Sequence, residues 1–339
     1  MKRRNTRHIS TGETAVKNAP QKDEPMETGR KNRTIYHKIV LAAELYYTYG
    51  LSQEEVANRM GVTRPWVSKM LKRAEEMGIV RIEVMSPSAG IVQVEEALCE
   101  RYGIKKATVI RSTDPQSSLK DLGRAAAHYL ISAIRPNDTL GVYWGKTLAA
   151  VADEFIPLRH PDVTVVSLVG GFGKNPEILS NQIAGKIANA LEAQCILLHA
   201  PALTGSREER DIFLKDPMIA DAVQAGEKSD IVLLSIGSLW NSTLLDSGYV
   251  TEEEVNKLEE EGAVGDLAMR FVDKNGRILS HSVNDRIVAA ELEQICTDAR
   301  HVVGIALGEN KVKVIKAAML GRWIDVLVTD SNTAEELLK

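Results

Sequence analysis

Cysteine is scarce in this chain: Cys99, Cys195 and Cys296 are the only three in 339 residues. Their odd number and wide spacing exclude a disulfide framework and a Cys/His metal site, so they read as small core residues of a reduced, cytoplasmic protein. No run approaches the roughly 20 apolar residues that a membrane span requires, and no secretory leader is recognisable, so no membrane partner is expected. Two nucleotide signatures are also missing. Five positions before Gly145 stands Leu140, which breaks the spacing of a phosphate-binding P-loop, and no loop carries G-x-G-x-x-G. ATP and NAD are thereby poor ligands, and no cofactor is expected. What remains is a chain 44% apolar and 26% charged, long enough for two folded units.

The segment Leu51–Met77, LSQEEVANRMGVTRPWVSKMLKRAEEM, carries the strongest local signal. Ser52 and Glu55 form an S-x-x-E capping box at the start of one helix. Ala57 is small enough for a close helix crossing, and Gly61 suits a left-handed turn. Thr63 and Pro65 then open a second helix, Thr63 as its cap. Val67, Met70 and Leu71 face inward, while Arg64, Trp66, Ser68, Lys69, Lys72 and Arg73 point elsewhere. Ile35–Tyr49 precedes this pair with helical periodicity, and Ile79–Val84 follows it with the alternation of a short strand. Three helices and a β-wing make a winged helix-turn-helix over residues 33–86, whose partner is a double-stranded DNA operator. Arg64, Ser68 and Lys69 lie early in the recognition helix and are candidates for base contacts. Lys72 and Arg73 are candidates for phosphates. Trp66 either packs on the first helix or touches thymine methyls. Ser52 completes this interface from the neighbouring helix start.

Charge divides the chain in the same place. Residues 1–85 carry 16 Lys and Arg against 10 Asp and Glu, a net +6, which leaves −10 for the rest of a chain of net charge −4. A basic head on an acidic body suits DNA contact at one end only. Residues 1–32 are polar, basic and poor in large apolar groups, so they read as a disordered tail. Ser86–Gly90 reads as a linker, and residues 91–339 as a second domain.

That domain alternates apolar runs with helical stretches. The runs are 107–110, 139–143, 163–169, 195–198, 230–236, 302–307 and 324–329. Their unbroken apolar character predicts a parallel sheet covered on both faces, an α/β, Rossmann-like arrangement. Asp273–Gly276, with its Asn-Gly step, predicts one antiparallel hairpin. Glycine-rich segments end several runs, where open α/β sheets bind ligands. Gly145, Lys146 and Thr147 open a helix and make an anion site from free amides and one ammonium.

The head, together with GVYWGKTL, VSLVGGF, DIVLLSIGSLWNSTLL, GAVGD, the Asn-Asp pair of VNDR and IDVLVTDSNTAEELL, resembles the SorC/DeoR-type bacterial transcriptional regulators from about Ile35 to the C-terminus. The resemblance implies a sugar-isomerase-type effector-binding domain behind the DNA-binding head. It also implies a sugar or phosphosugar effector and assembly as a homodimer or homotetramer. Carried across by position, the effector site comprises Gly145, Lys146, Thr147, Gly170, Gly171, Gln182, Asp266, Asp285 and Lys311. Gly170 and Gly171 would admit the ligand to the backbone, Asp266 and Asp285 would accept from sugar hydroxyls, and Lys311 would hold an anionic group. Gln182 fits a pocket wall or a surface helix equally, and Lys174 is a further candidate. Some relatives fix an aldehyde effector on a lysine before the double glycine. Leu168 and Val169 stand there, so binding is expected to be non-covalent.

Taken together, these features predict a non-enzymatic, nucleoid-associated regulator of a carbohydrate-utilisation operon. The rival from another class is a sugar-phosphate isomerase or deaminase with a DNA-binding head, using Asp266, His281 and Asp285 as an acid–base set. Fold alone does not decide between them.

Overall fold

The structure, a computed structural model, describes residues 7–8, 26–82, 89–111, 115–171, 178–240, 243–246 and 248–339. The chain divides into two compact units at Pro87/Ser88.

In the first unit, strand β1 (Arg7–His8) and helix α1 (Met26–Ala43) precede α2 (Gln53–Met60), α3 (Arg64–Glu76) and β2 (Arg81–Ile82). Helix α1 begins inside the segment read as tail and passes into a π-helical turn, Glu44–Thr48. Its buried residues are Ile39, Ala42 and Ala43, whereas Ile35 is exposed. These pack, with Leu45, against Val56, Ala57, Val67, Leu71 and Ala74 of the next two helices. The capping box of α2 is complete: the Ser52 hydroxyl accepts from the Glu55 amide at 3.2 Å, and the Ser52 amide donates to the Glu55 carboxylate at 2.7 Å. Gly61, at φ +64°, turns the chain between α2 and α3. Thr63 does not cap α3 through its side chain; Pro65, which needs no amide partner, occupies the first turn instead. Arg64, Ser68, Lys69, Lys72 and Arg73 are exposed, and Trp66 is half-buried against the helical core. Of the strand expected over 79–84, Arg81–Ile82 pairs antiparallel with Arg7–His8. Val80 turns into the core, and residues 83–84 lie outside the described residues.

The second unit runs α4 (Ala89–Tyr102), β3 (Lys106–Ile110), α5 (Pro115–Ala133), β4 (Thr139–Val142), α6 (Lys146–Asp153), β5 (Thr164–Ser167), α7 (Ser180–Leu191) and β6 (Gln194–Ile196). It continues with α8 (Arg207–Leu214), α9 (Pro217–Glu227), β7 (Ile231–Ser238), α10 (Thr243–Asp246), α11 (Glu252–Glu260), β8 (Ala263–Leu267), β9 (Arg270–Asp273) and α12 (Ser282–Asp285). It closes with α13 (Leu292–Asp298), β10 (His301–Ile305), α14 (Val312–Leu320), β11 (Val326–Asp330) and α15 (Ser331–Leu338). Each of the seven apolar runs is a strand, and the seven form a parallel sheet in the order β3-β11-β10-β7-β4-β5-β6. Strands β4 and β7 are neighbours, but the chain leaves them in opposite directions, β4 towards β5 and β7 towards β10. This is the topological switch point, where adjacent crossovers diverge and leave a crevice at the carboxyl ends.

The antiparallel excursion is longer than expected, two successive hairpins in place of one. Strand β8 pairs with the end of β7, and β9 pairs with β8, so the tight turn is Ala268–Met269. Both residues are buried and left-handed, at φ +51° and +72°. The expected hairpin follows: Asp273–Gly276 turns the chain so that Val272 bridges Ile278 antiparallel, and the Asp273 and Leu279 amides donate to the Arg277 and Phe271 carbonyls at 2.9 and 3.0 Å. No helix of the described residues is long and apolar enough to cross a membrane.

Candidate functional site

A cavity of about 270 Å³ opens at the switch point. Its floor is the residues after β4, Trp144–Thr147, and the end of β7, Ser235–Ser238. Asp266 from β8 and Asn310 and Lys311 from the segment after β10 complete the polar wall, with Leu119, Leu244 and Leu307 as apolar cover.

Two chain segments enter this cavity through a glycine of positive φ. Gly145 stands at φ +124°, a conformation that favours glycine, and α6 starts after it without a side-chain cap. The first amides of α6, at Lys146, Thr147 and Leu148, therefore have no partner within the helix, and Lys146 and Thr147 line the cavity. Gly308, at φ +107°, similarly leads into a 3-10 turn, Glu309–Lys311, that continues as α14. Thr333 anchors that turn by accepting the Gly308 amide at 2.8 Å. Asn310 donates to the Ser238 hydroxyl at 3.3 Å, tying the loops after β7 and β10 together.

Asp266 is the buried carboxylate of the cavity. Burial pushes its pKa up to about 6, against the lowering effects of the Met269 amide and of Lys311. The Met269 amide donates to Asp266 Oδ2 at 3.0 Å. Burial likewise depresses Lys311, with Asp266 opposing and Lys146 reinforcing the shift. The Ser235 hydroxyl is buried with no hydrogen-bond partner among the described residues. Amides, two ammonium groups, hydroxyls and one carboxylate thus converge on a small volume with apolar cover, a set suited to a polyhydroxylated or anionic small molecule.

Residues 86–339 match the family model described as "Putative sugar-binding domain". The chain is 32% identical over 301 residues to the deoxyribonucleoside regulator of Bacillus subtilis, spanning 88% of this chain and 96% of that protein. This chain belongs to the SorC/DeoR-type family of transcriptional regulators. Its fold is similar to the full-length sorbitol operon regulator SorC from Klebsiella pneumoniae, with a TM-score of 0.74, 28% identity, and coverage of 90% of this chain and 99% of that one. It is also similar to a DeoR family transcriptional regulator from Listeria monocytogenes, with a TM-score of 0.68, 29% identity, and coverage of 73% and 99%.

Within this SorC/DeoR-type chain, Gly145, Lys146, Thr147, Asp266 and Lys311 come together in the cavity although up to 166 positions separate them in sequence. Gln182 does not line it. That residue is exposed on α7 and borders a separate groove of about 830 Å³ between α6 and α7, which shares Leu119 and Lys146 with the cavity. Gly170 and Gly171 pack instead against a neighbouring chain segment: their amides donate to Val288 and Ala200 carbonyls at 3.1 and 2.8 Å. A Cβ on Gly170 would run into the backbone of Ala200 and Pro201. Asp285 is the exposed last residue of α12 and is not among the cavity residues. Its neighbour Asn284 instead holds β9, accepting the Phe271 amide at 2.9 Å and donating to the Leu279 carbonyl at 2.8 Å. His281 caps α12 and also lies outside the cavity lining, so the structure does not assemble the acid–base set of Asp266, His281 and Asp285. Lys174 lies outside the described residues. Ser235, Ser238 and Asn310 were not singled out from the sequence; their only signal is that they sit in the glycine-containing segments that end β7 and β10.

Proposed function

We propose that this chain is a transcriptional regulator that binds operator DNA through a winged helix-turn-helix at residues 33–86. Its second domain binds a sugar or phosphosugar non-covalently and thereby controls a carbohydrate-utilisation operon. The observation that carries the effector half is the convergence of the α6 amides, Lys146, Lys311 and Asp266 on one cavity at the switch point. The amides and ammonium groups suit a phosphate or another anionic group, and the carboxylate suits sugar hydroxyls. Leu168 and Val169, both fully buried, offer no amine for a covalent adduct at the double glycine.

For the DNA half, the exposed Arg64, Ser68 and Lys69 face base edges, while Lys72 and Arg73 face phosphates. The exposed Ser52, with its capped helix start, abuts the backbone beside them. Half-buried Trp66 serves the packing of α3. A homodimer or homotetramer supplies the second recognition helix, because linking two heads turns the second contact into an intramolecular event. The effector acts by its different affinity for two arrangements of the assembly. Such a protein works in the cytoplasm, on the nucleoid.

The test is footprinting of the purified chain on fragmented genomic DNA at physiological salt, with and without added sugar phosphates. Discrete paired half-sites beside a sugar-catabolic operon, altered by one sugar phosphate, are expected. Diffuse protection together with turnover of a sugar phosphate would instead assign the chain to the isomerase or deaminase class.

A further inference from the structure

The hairpin formed by β8 and β9 is built against local preference. Ala268 and Met269 both carry a side chain in the left-handed region, a conformation in which the Cβ crowds the following carbonyl, and both are fully buried. Three contacts hold the turn. The Ala268 amide donates to the Ser235 carbonyl at 3.0 Å, the Met269 amide donates to Asp266 Oδ2 at 3.0 Å, and Asn284 clamps the next residue pair through Phe271. The Asp266 carboxylate itself is wedged over Gly237, where a Cβ would overlap its oxygen. Among the described residues, Met269 is the one hydrogen-bond donor to this carboxylate. A carboxylate accepts up to about four hydrogen bonds, so its buried charge is under-compensated.

We propose that the β8–β9 hairpin is a loaded element of the cavity wall, pushed towards an open form by the ionised Asp266 carboxylate and held closed when the missing donor is supplied. A proton supplies it directly. On the effector-pocket reading, on which this second route rests, a ligand hydroxyl supplies it equally, so effector and proton act in the same direction.

The surrounding charges fit a single controlling group. Strand β7 contributes none to the wall, since Ile231–Ser238 holds no ionisable side chain. Lys311 faces Asp266 from the 3-10 turn and Lys146 from the start of α6, both across the cavity. On β9, Arg270 is engaged by the Ala290 carbonyl and Glu291, and Asp273 by the Asn275 and Arg277 amides. On α11, Glu254 is paired with Arg286 and Glu253 with Lys257; Lys313 and Lys316 of α14 are exposed. Opening would return Asp266 to water, where its ordinary acidity lies below the value of about 6 that it has in the closed form. Linkage then fixes the sign: opening becomes easier as pH rises through that interval.

Hydrogen exchange of the ligand-free, full-length protein tests this without any effector or DNA. Corrected for intrinsic rates, amides of the segment 266–271 are expected to be protected about tenfold more at pH 5 than at pH 7.5, as two linked ionisation constants two units apart imply. D266N should abolish the difference. A268G, which removes the left-handed cost without touching the carboxylate, should raise protection at pH 7.5. Wild-type protection independent of pH, or an undiminished pH effect in D266N, would overturn the proposal. The reading of the cavity as an effector site would stand or fall separately, on the footprint.

Discussion

Gly237 and Asp266 are register partners across β7 and β8, and the Asp266 carboxylate occupies the volume that any side chain at Gly237 would need. Glycine at 237 is therefore a condition for the carboxylate's position, with no positive φ involved. We predict that Gly237→Ala displaces Asp266 and costs about 1–3 kcal/mol, the range for overpacking a tight site. Differential scanning calorimetry would read the stability loss, and a binding isotherm for a sugar phosphate would read the loss of affinity. A variant that melts and binds like the parent would show that the wall yields to a methyl group at no cost.

The same carboxylate gives stability a pH dependence with a definite sign. Its pKa is raised in the folded protein to about 6 from an ordinary 3.8. Between those values the native state keeps a proton that the unfolded chain has released, so stability is fully present below about pH 4 and declines as pH rises towards 6. At 1.36 kcal/mol per unit, the contribution is at most about 3 kcal/mol. Asp266→Asn carries no ionisable group, so the difference in unfolding free energy between it and the parent should shift by up to this amount between pH 4 and pH 6.5. Urea titrations at both pH values check it, and parallel stability curves would contradict it.

The strands of the parallel sheet and the start of α2 were legible in the sequence because each has a local physical cause. Seven continuous apolar runs became seven parallel strands, since a strand buried on both faces has no polar side to alternate with. The Ser52–Glu55 box and Gly61 are equally local. The additional β8–β9 hairpin was not legible, for a different reason. Asn275–Gly276 advertises a turn by residue type, whereas Ala268 and Met269 adopt left-handed geometry only because Ser235, Asp266 and Asn284 hold the surrounding backbone. A conformation imposed by tertiary contacts leaves no compositional trace. Glycine misled in the opposite direction: Gly145 and Gly170 both follow apolar runs, yet one opens the cavity and the other only makes room for Ala200 and Pro201.

This difference between glycines can be measured against the lysine beside them. We predict that Gly170→Ala lowers the melting temperature by several degrees, because the added Cβ meets fixed backbone, an overpacking cost of about 1–3 kcal/mol. Lys146 is exposed at the cavity edge, so Lys146→Ala should leave the melting temperature within about a degree while weakening a phosphosugar about tenfold, or 1.4 kcal/mol. Calorimetry and equilibrium binding on the two variants would separate packing from recognition. If Gly170→Ala lost affinity with no loss of stability, the double glycine would have a direct part in binding.

On the DNA side, Arg64 and Lys72 are both exposed on α3, but they stand two turns apart along it. A helix that enters the major groove with its first turn leading brings Arg64 to base edges and leaves Lys72 beside the phosphates. We predict that Arg64→Ala costs about 1–3 kcal/mol on the operator and relaxes preference at one base pair, with little change on random DNA. Lys72→Ala should weaken operator and random DNA nearly equally and reduce the slope of log affinity against log salt by about one. Fluorescence anisotropy with operator and scrambled duplexes over a range of salt concentrations measures both quantities. The two side chains would share one role if the variants lost operator and random binding in the same proportion.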